Sequence, residues 1–161
     1  MTFRTVFSVF GLLKTARVVL ALLLALSLAS RAFAQIAVIA NKSKPVPGLS
    51  LDELRRLYLG QTSRLAGTRV TLVETAPVRA PFYRAVAQLS EAQVDRAWLA
   101  VVFQGGDATP PRKFTSAVEA RRYVVEHPEA IAFIPLDALD DTVAAIPING
   151  KNPRESGYPI Q

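Results

Sequence analysis

The chain has 161 residues, 19 Lys and Arg against 13 Asp and Glu, and a formal charge of +6. That length is one ordinary domain, and the absence of cysteine excludes disulfides, thiolate metal sites and a lipid anchor on Cys. The first elements in chain order are those of a secretory signal. Arg4, Lys14 and Arg17 are followed by the apolar run Val18–Ala29 and then by Ala32-Phe33-Ala34, small residues where a signal peptidase reads. The apolar run lies between Arg17 and Arg31 and is short for a bilayer core, which needs about 20 residues. Residues 1–34 are therefore expected to direct export and to be removed, leaving a periplasmic protein with no membrane span. Four of the 19 bases leave with that segment, so the balance of the remaining chain is near +2. Its bases are scattered among acids, a solvated surface rather than a nucleic-acid stripe.

Beyond Gln35, Ile36-Ala-Val-Ile-Ala40 is β-branched and apolar, as a buried strand requires. Ser50-Leu-Asp-Glu53 has the spacing of a capping box. Leu51, Leu54 and Tyr58 then give a helical stripe that stops at Gly60. Val70–Val73 reads as a second strand and 74–78 as a turn. Pro81 is expected in the first helical position, with Phe82, Ala85, Val86 and Leu89 on one face. A second capping box, Ser90 with Gln93, precedes Val94, Ala97, Trp98 and Val101. A third, Ser116 with Glu119, precedes Ala120 and Val124, and Pro128 ends that helix. Ile131–Ile134 and Val143–Ile148 are the remaining predicted strands. The segment from Asn149 to Gln161, rich in Pro, Gly and charge, is expected to be an extended or loose tail. Strands alternating with helices predict a mostly parallel α/β sheet covered on both faces.

Several of these residues in order resemble the substrate-binding proteins of phosphate ABC transporters, in particular short, single-lobe members of that periplasmic-binding-protein-like group. They are Ile36–Asn41 with Pro45, Leu51-x-x-Leu54-x-x-Leu57-Tyr-Leu-Gly60, Phe82 opening a helix, Trp98 to Phe103-x-Gly105, Pro110-Pro111, and His127-Pro-Glu-Ala-Ile-Ala-Phe-Ile134. The resemblance spans roughly 36–148. It implies a single lobe of a type II periplasmic-binding-protein fold over 35–148, with the anion held at helix N-termini where free N–H groups and the dipole favour negative charge. It also implies phosphate or another oxyanion as ligand, an ABC permease or envelope protein as partner, and a homodimer as one way to rebuild a two-lobed cleft. The full receptors carry a Ser-Gly-Thr triplet before a helix, then Arg, then Phe three residues on. Arg79 and Phe82 fit that spacing. The triplet falls on Ala76-Pro77-Val78, so both hydroxyls are absent and Pro77 has no N–H to donate. Glu129 and Ala132 stand where the group often has Gly.

Arg79 heads the candidate ligand-binding residues, because a guanidinium suits phosphate geometry. Thr75 is the hydroxyl on the 74–78 turn, where it could donate to an anion or to its own backbone. Lys42 and Ser43, beside Asn41, follow the first strand, and ligands of open α/β sheets bind beyond strand C-termini. His127 reads as a helix-end residue and Trp98 as core. No nucleophile–base set or metal-ligand spacing is present, which points away from an enzyme and from any cofactor. Two readings follow: an exported solute-binding protein, and an accessory or protein-interaction module of the cell envelope that has lost phosphate binding.

Overall fold

In the computed structural model, residues 35–160 are described. Residues 1–34, expected to form an export signal, lie outside them. The strands are β1 (Ile36–Asn41), β2 (Arg64–Leu65), β3 (Thr68–Arg69), β4 (Thr71–Thr75), β5 (Arg112–Phe114), β6 (Ala130–Pro135) and β7 (Val143–Ala145). The helices are α1 (Leu51–Tyr58), α2 (Arg79–Ala87), α3 (Glu91–Phe103) and α4 (Ala117–Glu126). None of the described helices is long and apolar enough to cross a membrane.

Five strands form one sheet in the order β5-β4-β6-β1-β7. β4 is parallel to β5 and β6, while β1 is antiparallel to both β6 and β7. Four strands thus share a direction, and β1 runs against them between β6 and β7. β1 and β6 are buried on both faces, which explains their unbroken apolar runs. Ile36, Val38, Ile131 and Phe133 join α1, α2 and α3 in one core. Ala37, Ile39, Ala132 and Ile134 join α4 in a second core on the opposite face. The larger core centres on aromatic rings: Phe82 stacks on Phe133 at 3.8 Å, and Tyr58 meets Phe82 edge-on at 4.9 Å. The Tyr58 hydroxyl donates toward the carbonyl oxygens of Val73 and Ile131, at 3.2 and 3.1 Å.

Both of the first two capping boxes form as their spacing predicts. The third forms by half: Ser116 accepts from the Val118 amide, and Glu119 returns no bond to the cap. α2 begins at Arg79, so Pro81 is its third residue. A 3-10 turn over Ala76–Val78, with Pro77 inside it, leads in. Glu74 and Thr75 belong to β4 rather than to a turn. β2 and β3 are a small hairpin closed by Ala66 and Gly67, both at positive φ, as a tight two-residue turn requires. The last segment is not loose. Tyr158 and Ile160 are buried in the larger core, and the Ile160 carbonyl accepts from the Ile36 amide.

Candidate functional site

The corner where β4 ends and α2 begins holds Arg79, as the sequence predicts, yet its guanidinium is already engaged. Nε donates to Glu74 Oε2 at 2.7 Å, and one terminal nitrogen donates to Asp95 Oδ1 at 2.7 Å. The other lies 3.3 Å from Glu91 Oε1. The second Glu74 oxygen accepts from the Tyr83 hydroxyl, and the guanidinium carbon lies 5.4 Å from the Tyr83 ring centre. Glu74 is 1 % exposed and Arg79 8 %, so the central pair is shielded from water.

Local structure explains the assembly. Leu72 and Val73 fall in the two different cores, and alternation along β4 then points Glu74 to the face that carries α2 and α3. Arg79 opens α2, and Tyr83 follows four residues later on the same face. A cation in the first turn of a helix opposes the dipole. The acids of α3, Glu91 in its first turn and Asp95 one turn on, offset that. Lys113 of β5 pairs in register with Glu74 and reaches Asp95 Oδ1 at 3.4 Å. Burial alone would lower the Arg79 pKa. The hydrogen bonds and charges of Glu74 and Asp95 outweigh it and hold the guanidinium protonated above its ordinary range. Asp95 loses some hydration, but Arg79 and Lys113 keep its carboxyl below the usual carboxylate value. Desolvation, followed by the Glu74 charge, pushes the Tyr83 hydroxyl far up, so it is a fixed donor.

The other candidates are elsewhere. Thr75 is fully buried, and alternation turns it to the α4 face, away from Arg79. Its hydroxyl has no hydrogen-bond partner among the described residues. Lys42 and Ser43 follow a strand that runs against the others, so they lie at the opposite end of the sheet from Thr75 and Arg79. Lys42 is exposed, and both the Ser43 amide and hydroxyl donate to Asn41 Oδ1. Asn41 itself caps α4, its Nδ2 donating to the Val124 and Val125 carbonyls at 2.9 and 2.8 Å. The four residues do not converge on one site. An apolar groove of about 120 Å3 at that opposite end, flanked by Lys44 and Glu129, brings together no set of anion donors.

The residues that sequence reasoning missed are Glu74, Tyr83, Glu91, Asp95 and Lys113. One signal was available: Glu74 is the only charged residue in Thr71–Thr75, and an acid inside an apolar strand needs a buried partner. Chemically the corner carries three carboxylates against Arg79 and Lys113. Its charges are satisfied internally, with the Glu74 carboxylate bonded to the guanidinium that the resemblance assigns to an anion. No group of acids and His able to hold a metal ion occurs among the described residues.

No protein-family model and no curated protein sequence matches the chain. Solved structures do. An ABC-type phosphate transport receptor from Vibrio cholerae aligns with a TM-score of 0.59 and 18% identity, over 74% of this chain and 48% of that one. A putative phosphate ABC transporter substrate-binding protein with bound phosphate from Clostridium perfringens gives 0.59 and 20%, over 73% and 46%. PstS from Borrelia burgdorferi gives 0.56 and 11%, over 78% and 53%. The chain therefore spans about half the length of the receptors it matches, and what it shares with them is the α/β fold of a single lobe.

Proposed function

We propose that the protein is an exported lobe of the phosphate-receptor fold that has given up oxyanion binding and serves as a protein-interaction or accessory module of the cell envelope. One observation carries this reading. The Glu74 carboxylate, 1 % exposed, occupies the Arg79 guanidinium that an oxyanion would need. Displacing it would strand a buried carboxylate beside an incoming anion, and like charges in a poorly hydrated corner repel strongly. The neighbouring Ala76-Pro77-Val78 supplies no hydroxyl, and Pro77 no N–H, to compensate. The signal-like pattern of residues 1–34 supports export of the lobe from Gln35 onward, and its partner would then be an envelope protein rather than a transported solute.

Titration calorimetry of the exported protein with phosphate, and with sulfate as control, tests the loss of binding. The reading predicts no saturable heat for either anion. Micromolar binding of phosphate that Arg79→Met abolishes would restore the solute-binding function and an ABC permease as the natural partner. N-terminal sequencing of the same protein tests export, with Gln35 expected as the first residue.

A further inference from the structure

α3 presents two faces. Val94 and Trp98 are buried in the larger core, with Ala97 and Val101 half-buried beside them. Turned directly away from that core are Ala92, Arg96, Leu99 and Phe103, all exposed. Leu99 is 56% and Phe103 85% exposed, and Val102 flanks them at 53%. Single exposed apolar residues are ordinary. Here the four positions follow a 4-3-4 spacing, that of a helix–helix seam. Leu99, Val102 and Phe103 together leave on the order of 300 Å2 of apolar surface in water, comparable to the largest patch of a typical monomer, which is often functional.

We infer that this seam joins two copies of the chain through an antiparallel α3–α3 contact. This goes beyond the functional reading above and does not rest on it. A two-fold axis midway along the seam sets Ala92 opposite Phe103 of the second copy and Arg96 opposite Leu99, so the smallest residue receives the largest. Arg96 is already placed for this. Its Nε donates to the Ala92 carbonyl at 3.2 Å, which folds the guanidinium over Ala92, where the incoming Phe103 ring would land. A guanidinium against an aromatic face is favourable, more so as water is excluded. A parallel pairing would instead put Arg96 against Arg96 and leave Ala92 facing Ala92 across a gap. The two patches with their rims come to on the order of 1,000 Å2, the low end for a specific interface, so a reversible dimer is expected.

Sedimentation equilibrium of the purified protein over a range of concentrations tests the contact. The expected result is a monomer–dimer equilibrium. Phe103→Ser raises the dimer Kd by at least about 30-fold, as removal of an interface anchor does. Arg96→Glu also weakens the dimer, because a carboxylate over a ring face repels. Val125→Ser, at an exposed apolar position on α4, leaves it unchanged. Thermal melting confirms that each variant is folded, and Arg96→Glu decides the matter if Phe103→Ser is not. A protein that is monomeric at every concentration, or a dimer indifferent to both Phe103→Ser and Arg96→Glu, would overturn the proposal.

Discussion

Replacing Arg79 by Met removes the cation and keeps most of the side-chain length. Glu74, 1 % exposed, then retains only the Tyr83 hydroxyl as donor, and its charge has no buried counterpart. Breaking a buried ion pair from one side costs about 3 to 5 kcal/mol. The Arg79 side chain is 9% exposed, so solvent screening reduces that figure little. For a domain of this size the loss corresponds to a fall in Tm of about 10 to 20 °C. Glu74→Gln keeps the shape and the acceptor oxygen, and leaves Arg79 with Asp95 and Glu91. It is expected to cost about 1 to 2 kcal/mol, the difference between charge-assisted and neutral hydrogen bonds. The double variant should be much less harmful than the sum, with a coupling of about 2 kcal/mol or more. Urea unfolding of the four proteins measures the cycle. If Arg79→Met costs less than about 1 kcal/mol, Glu74 and Arg79 are not the mutually dependent pair described here.

Other consequences follow from contacts away from this corner. Gly60 has φ +70°, and a Cβ there would lie 2.7 Å from Trp98 Cζ3, so Gly60→Ala is expected to cost about 2 to 4 kcal/mol in urea unfolding. Gly67→Ala, also at positive φ but with nothing within 4 Å, should cost only about 1 kcal/mol. Asn41→Ala leaves two carbonyls at the end of α4 without their donor. A loss of about 1 to 3 kcal/mol is expected, with faster amide exchange in the last turn of α4 as the local readout. Asp95 titrates below its usual value in the folded protein, so on acidification the unfolded chain takes up that proton first. Stability is therefore expected to fall as pH drops below the ordinary Asp value of 3.8 and through the lowered folded one. Asp95→Asn should flatten that part of an unfolding series from about pH 6 to about pH 2.

Much of the architecture was legible because burial writes simple patterns. β1 and β6 are apolar throughout since both faces are covered, and Ser50 with Glu53 and Ser90 with Gln93 announce α1 and α3. β5 was not legible. It is an edge strand of three residues, two of them Arg112 and Lys113, and charges on an edge are a device against further pairing that erases the strand signature. The opposed direction of β1 was hidden too, because β-branched runs carry no direction. That single fact separates Lys42 and Ser43 from Thr75 and Arg79, which a wholly parallel sheet would set at one end. In the sequence Glu74 reads as part of a turn, since an isolated acid disfavours a buried strand. It becomes intelligible only when Arg79 and Tyr83, one helix away, are seen to satisfy both of its oxygens. The expectation of an extended or loose tail does not include the burial of Tyr158 and Ile160, for a similar reason: they are two apolar residues in a polar segment, and the partners that bury them include Ile36, more than a hundred residues earlier.

The central claim is that Arg79 is held internally and is closed to anions. Nitrogen-15 NMR of the arginine Nε–H groups tests it most directly, with the Arg79 signal identified by its loss in Arg79→Met. A slowly exchanging signal that disappears or shifts strongly in Glu74→Gln, and that phosphate leaves unmoved, is the predicted result. A signal in fast exchange with water that shifts and saturates with phosphate would contradict it, and would return this lobe to the anion-binding receptors whose fold it shares.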